Sequence, residues 1–200
     1  TAYAAQVTFG MFLWPILHWG SWLGLGLGVM AAVPFGLLTV AFWNAQDHFY
    51  VERVSLRERY GDWALVTGAS AGLGMEFARA LAREGIHCVL SARREERLTA
   101  LAAELERQHG ISTRVLAIDL AQPDGAERLA DAVADLEIGI LVNNAGFGGA
   151  GRFDLLEASR LRDMIAVNCL APVLLTLRIL PGMRARRRGA VVITGSVAGR

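Results

Sequence analysis

The chain has 200 residues, 54% of them hydrophobic, against the ~45–50% usual for soluble globular domains. Its 20 basic and 19 acidic residues leave a net charge of +1, so composition offers no case for nucleic acid as a partner. Every charge lies at or after Asp47, which excludes one uniform globule, and the regular patterning of the charged part excludes disorder.

Residues 1–46 read as a membrane segment. One helical span needs ~20 apolar residues, and Leu23–Trp43 supplies about that many, or about 31 Å of helix. Glycines and Pro34 within it are tolerated in membrane helices, and Trp19, Trp22, Phe42 and Trp43 lie near its ends, where aromatic belts form. Ala2–Leu17, which holds Pro15, fits a second, truncated span or an interfacial piece; a buried hairpin is the bland alternative. A signal peptide is disfavoured because no positive n-region precedes the long apolar run. A chain opening on Thr1 implies that residues precede it. Arg53, Arg57 and Arg59 follow the span, so the positive-inside bias puts the rest of the chain in the cytoplasm. Residues 47–62 form a charged juxtamembrane linker with a helix ending at Gly61.

From Trp63 to Arg200 the pattern is regular. Apolar runs at Trp63–Val66, His87–Leu90, Val115–Ile118, Ile140–Val142 and Ala190–Ile193 fit strands buried on both faces, as in a parallel sheet. Helical stripes lie between them. Leu73, Phe77 and Leu81 form the first, closed by Gly85; Leu98, Leu101 and Leu105 the second, stopped at Gly110. Pro123 opens a third, with Leu129, Val133 and Leu136 on one face. A longer helix is expected over Ser159–Leu180, kinked at Pro172. Strand starts about 25 residues apart suit βαβ crossovers, so the expected fold is a doubly wound, Rossmann-like α/β sheet.

Thr67-Gly68-Ala69-Ser70-Ala71-Gly72-Leu73-Gly74 sits between the first strand and the first helix. Gly68 suits a tight turn, Gly72 a close approach of backbone N–H groups to a pyrophosphate, and Gly74 close helix–strand packing, with the helix N-terminus facing the anion. A flexible glycine turn is the bland reading; the strand–turn–helix placement argues against it.

This TGxxxGxG pattern resembles the short-chain dehydrogenase/reductase fingerprint, and three further motifs follow in order. Asp119-Leu120 ends the third strand, where the family's Asp contacts adenine. Asn143-Asn144-Ala145-Gly146 matches the family's NNAG, and Thr194-Gly195-Ser196 ends the fifth strand, where the family carries its catalytic Ser. Asn168 matches the catalytic Asn. The resemblance covers about 63–200 and implies cofactor contacts from Gly68, Ser70, Ala71, Gly72, Leu73, Gly74, Asp119, Leu120, Asn144, Ala145 and Gly146, with Ser196 and Asn168 catalytic. Gly61–Gly68 behind a membrane segment is similar to the membrane-bound 3-oxoacyl-CoA reductase and 17β-hydroxysteroid dehydrogenase branch. As plain residues, Asp119 could cap a turn, Asn143 and Asn144 could form one, and Asn168 could be an ordinary helical polar group.

NAD enzymes usually place an acid at the end of the second strand; here the chain reads Ser91-Ala92-Arg93-Arg94. Arg93 offers a planar fork of donors to a 2′-phosphate, with Arg94 as backup, so NADP(H) is expected over NAD(H). The family's chemistry also uses a Tyr-x-x-x-Lys pair beyond the Ser. This chain has no Lys, its only tyrosines are Tyr3, Tyr50 and Tyr60, and it ends at Arg200, so by itself it should not turn over. Hydride exchange between the nicotinamide and a carbonyl or alcohol carbon is expected, and the membrane segment favours a lipophilic substrate: a 3-oxoacyl thioester, steroid or retinoid. The rival reading is a non-catalytic, membrane-tethered NADP(H) sensor or scaffold. For the full-length protein a homo-oligomer is open.

Four histidines and two cysteines lack metal-ligand spacing, so no metal is expected. Cys88 and Cys169 lie in apolar runs, which suits a reducing compartment. The run Arg184, Arg186, Arg187, Arg188 reads either as a solvated helix end or as a surface for anionic lipid or phosphate.

Overall fold

The computed structural model describes residues 54–149 and 151–195. The expected span Leu23–Trp43, the linker before residue 54, and Ser196 lie outside the described residues.

Helix α1 (Leu56–Tyr60) opens on a capping box. Ser55 Oγ accepts from Glu58 N at 3.1 Å, and Ser55 N donates to Glu58 Oε2 at 3.2 Å. Gly61 closes it. There follow β1 (Trp63–Thr67), α2 (Gly72–Arg83), β2 (His87–Ala92), α3 (Glu95–His109), β3 (Thr113–Ala117), α4 (Gly125–Asp131) and β4 (Ile138–Asn143). A 3-10 turn at Phe153–Leu155 then leads to α5 (Ala158–Ile165), a π-helical turn over Ala166–Leu170, α6 (Ala171–Ala185) and β5 (Ala190–Ile193).

The five strands form one parallel sheet in the order β3-β2-β1-β4-β5. Successive residues on a strand face opposite sides, so the sheet carries two cores. On one side Ala64, Val66 and Leu90 meet Leu81, Leu98 and Leu105 of α2 and α3. On the other, Leu65, Val89 and Leu141 meet Leu129 of α4 and Val167 and Leu175 of the long helical stretch. Burying one such side chain contributes about 1.5–3 kcal/mol over leaving it exposed.

Several elements depart from the sequence expectation. β3 begins at Thr113 rather than Val115 and ends before Ile118, whose N–H turns back to Leu116 O at 3.0 Å. β4 begins at Ile138, two residues early, and a register shift against β1 between Trp63 and Ala64 accommodates the extra length. Leu73 is not on the buried stripe of α2. It is 63% exposed, and the helix buries Gly74, Ala78, Leu81 and Ala82 instead. Pro123 precedes α4 by a turn, and Val133 and Leu136 pack from beyond that helix's end.

The expected break at Pro172 is real but lies upstream of the ring. Proline has no N–H for the carbonyl four residues back, that of Asn168, and its ring crowds that carbonyl. The helix widens to π geometry over Ala166–Leu170, and Pro172 then sits in the first turn of α6, where its ring fits. The whole run Ala158–Ala185 is long and apolar enough to cross a membrane by length and composition. Val167, Ala171, Leu175 and Met183 on it are buried against the sheet.

Candidate cofactor cleft and active site

The strand order reverses between β1 and β4, so their carboxyl ends part and leave a crevice, the place where open α/β sheets take ligands. A cleft of about 900 Å³ opens there. Its wall collects residues from four strand ends: Gly68, Ser70, Ala71 and Leu73 after β1; Arg93 and Arg94 after β2; Asp119 and Leu120 after β3; Asn144, Ala145 and Gly146 after β4. Asn168 of the π turn and Gly195, next to Ser196 in sequence, line it too. Gly72 and Gly74 are not on the wall.

Thr67 holds the two middle strand ends together. Its buried hydroxyl donates to Val142 O at 3.2 Å and accepts from Asn144 N at 2.9 Å and Ala145 N at 3.0 Å. Asn144 completes the lock: its Nδ2 donates to Thr67 O at 3.1 Å, and its Oδ1 accepts from Thr194 Oγ1 at 3.3 Å. With its side chain so engaged, Asn144 offers the cleft mainly backbone. Gly68 stands at φ +68°, and a Cβ there would come within 2.9 Å of Ala145 Cα. A Cβ on Gly74 would strike Gly68 O, so only glycine lets α2 start this close to β1. Ala71 gives α2 no side-chain cap, which leaves its first N–H groups available to an anion.

At the far wall Asn168 clamps the loop after β4. Its Oδ1 accepts from Phe147 N at 3.1 Å and its Nδ2 donates to Phe147 O at 2.9 Å. Arg160 of α5 adds a bond to Gly148 O at 3.2 Å and stacks over the Phe147 ring. Asp119 Oδ1 accepts from Ala121 N at 3.0 Å, so this side chain both forms the turn after β3 and lines the cleft.

Sequence reasoning missed the lining roles of Ser91 and Phe147, the bond of Arg94 to the glycine turn, and the buried Thr67 behind the wall. Thr67 lay inside the quoted motif and could have been read as a lock. Arg94 Nη2 donates to Ser70 Oγ at 3.0 Å, joining the β2 end to the turn. Ser91 Oγ is buried at the wall with no hydrogen-bond partner.

These features fit a dinucleotide: an uncapped helix start, two arginines at the β2 end, and an unpartnered hydroxyl on the wall. No group of three metal-ligating side chains occurs among the described residues. Cys88 lies in the core, where burial pushes its thiol up to about 12.

A family profile described as short chain dehydrogenase matches residues 62–200. The very-long-chain 3-oxoacyl-CoA reductase of Neurospora crassa is 35% identical over 190 residues, covering 91% of this chain and 56% of that protein. The protein of that name from Aspergillus clavatus is 42% identical over 143 residues, covering 70% of this chain and 41% of its own length. The chain thus spans about half the length of the curated relatives it matches. A solved short-chain dehydrogenase from Sphingobium yanoikuyae in complex with NADPH superposes with a TM-score of 0.66 at 36% identity, covering 69% of this chain and 54% of that one.

Proposed function

The chain belongs to the short-chain dehydrogenase family, and on that premise we propose that it is the cofactor-binding part of a membrane-tethered, NADP(H)-dependent reductase of 3-oxoacyl thioesters or similar lipophilic ketones. The nicotinamide supplies hydride to the carbonyl carbon. The uncapped start of α2 and the turn Gly68–Gly74 bind the pyrophosphate. Arg93 and Arg94 take the ribose 2′-phosphate, with Ser91 Oγ and Asp119 toward the adenosine half. Asn168 keeps the Phe147 loop in place, and Ser196 donates to the substrate oxygen. A Tyr and a Lys beyond Arg200 complete the proton relay, and without them residues 1–200 bind cofactor but do not turn over. The substrate class rests on the name of the fungal relatives together with the uncharged segment 1–46, which tethers a cytoplasmic domain.

One observation carries the cofactor choice: the β2 end presents Arg93 and Arg94 to the cleft and no carboxylate, and Arg94 already reaches Ser70. An acid there would repel a phosphate bearing nearly two negative charges. The reading is tested with a chain continued through a Tyr-x-x-x-Lys segment, in membranes supplied with NADPH and a long-chain 3-oxoacyl-CoA. Turnover is expected there and absent from residues 1–200, and Ser196→Ala should lower kcat/KM ~10²–10³-fold. Tight NADPH binding without turnover in the longer chain would favour the sensor or scaffold instead.

A further inference from the structure

The opposite end of the sheet, where the strands begin, carries its own charge pattern. Helix α6 runs back along β4 and β5, so its last turn brings Arg184 to that end. The turn after it places Arg187 and Arg188 beside the starts of β4 and β5. The chain also enters the domain here: α1 precedes β1, and Gly61 packs against Gly139 and lies near the Arg188 guanidinium. Arg57 and Arg59 thereby join the arginines of a segment well over a hundred residues away.

Some of these charges are spoken for. Arg57 pairs with Asp62 at 2.8 Å, and Glu137 lies 3.9 Å from both Arg186 and Arg188. Arg186 also donates to Ile138 O at 3.0 Å. Among the described residues Arg59, Arg184 and Arg187 make no ion pair, and all three are exposed. Among the described residues of these two segments and their ion-pair partners, the acids set against the six arginines are Glu58, Asp62 and Glu137.

A favourable helix dipole accounts for Arg184 in the last turn of α6. It does not account for Arg187. That residue closes the helix in the left-handed region, φ 54°, a place that glycine or asparagine takes at less strain. An arginine there calls for a reason outside the backbone.

We propose that this end of the domain binds an anionic lipid surface through Arg59, Arg184, Arg187 and Arg188. Charge complementarity argues for that partner, and so does covalent connection. Seven residues separate the end of the uncharged run at Gln46 from Val54 in the sequence, a link that spans about 25–30 Å at most. The inference rests on the tether reading of segment 1–46. Headgroup contact here leaves the cofactor cleft, at the other end of the strands, open to water.

The test uses the full chain with vesicles of phosphatidylcholine alone or with added phosphatidylserine, under limited trypsin. The readout is the rate of cleavage after Arg187 and Arg188 divided by that after the exposed loop residue Arg152. The anionic lipid is expected to lower this ratio about fivefold or more, and high salt to restore it. Arg59→Gln/Arg184→Gln keeps both cleavage sites and should lose part of the protection. Equal ratios in the two lipids overturn the proposal, as does full protection in the double variant. Protection by inorganic phosphate in neutral vesicles would make the cluster a free-phosphate site and overturn it too. Flotation with neutral vesicles reports the tether separately. A chain that floats only with anionic vesicles refutes the tether and supports this surface; one that floats with neither overturns both.

Discussion

Arg94 and Ser70 lie on different connections of the sheet, yet the Arg94 guanidinium donates to the Ser70 hydroxyl at 3.0 Å across the mouth of the cleft. That contact fixes one arginine beside the glycine turn and leaves Arg93, whose side chain has no hydrogen bond among the described residues, available to a ligand. Arg93→Ala is expected to weaken NADPH binding by about 1.5–3 kcal/mol, roughly 10- to 150-fold, and to leave NADH unchanged. Arg94→Ala should cost less, since its present partner is neutral. Titration of each cofactor against the parent chain and both variants checks this; equal loss for NADPH and NADH in Arg93→Ala would refute the assignment.

Thr67→Val removes one hydroxyl and strands two partly buried donors, Asn144 N and Ala145 N. Each unsatisfied group costs about 1–3 kcal/mol, so a fall in stability of several kcal/mol is expected, together with weaker cofactor binding. Thr67→Ser should recover most of both. The measurement is denaturant unfolding beside a cofactor titration; a valine variant as stable as the parent would show that the lock is unimportant.

Gly74→Ala forces a methyl into Gly68 O, a backbone atom that cannot swing aside. A loss of about 1–3 kcal/mol is expected. Gly72→Ala faces open space and pays only for its φ of +58°, about 1–2 kcal/mol. Thermal melts of the two should differ, and nucleotide affinity should fall more in Gly74→Ala.

The surface of the α2–α3 pair carries a two-point ion pair. Arg79 Nε donates to Glu104 Oε1 at 2.9 Å and its Nη2 donates to Oε2 at 3.0 Å, the side chains being 29% and 27% exposed. The Arg79 hydrogen bonds hold the Glu104 carboxyl below its ordinary 4.5, against the opposing effect of burial. A lowered value means that the stabilisation is complete above about 4.5 and is lost as pH falls through the lowered value. Glu104→Gln should therefore cost about 0.5–1 kcal/mol near neutral pH and nothing once both states are protonated. Urea midpoints at the two pH values decide; a constant difference would mean that the charge is irrelevant.

Much of the fold was legible because its signals are local. Each strand announced itself as a short apolar run bounded by turn residues, and the helices as stripes closed by Gly85 and Gly110. Errors fell where a neighbour decides the outcome. Leu73 has the spacing of a core residue, yet it sits where α2 opens onto the cleft and so stays exposed. Pro172 reads in sequence as a kink at its own position, but the strain it creates is relieved one turn earlier, at the carbonyl of Asn168.

The order of motifs along the chain identified the family and named most of the cleft wall, because a glycine turn after a strand and an Asn-Asn-Ala-Gly after another are written in consecutive residues. No local pattern says that β1 lies next to β4 rather than β3. That adjacency comes from packing helices on both faces of one sheet, and it alone brings the Thr67 hydroxyl to Asn144 and Ala145. It also gathers arginines from α1 and from the end of α6 at the far end of the strands. Composition could count those charges, but only closure of the sheet could put them on one surface.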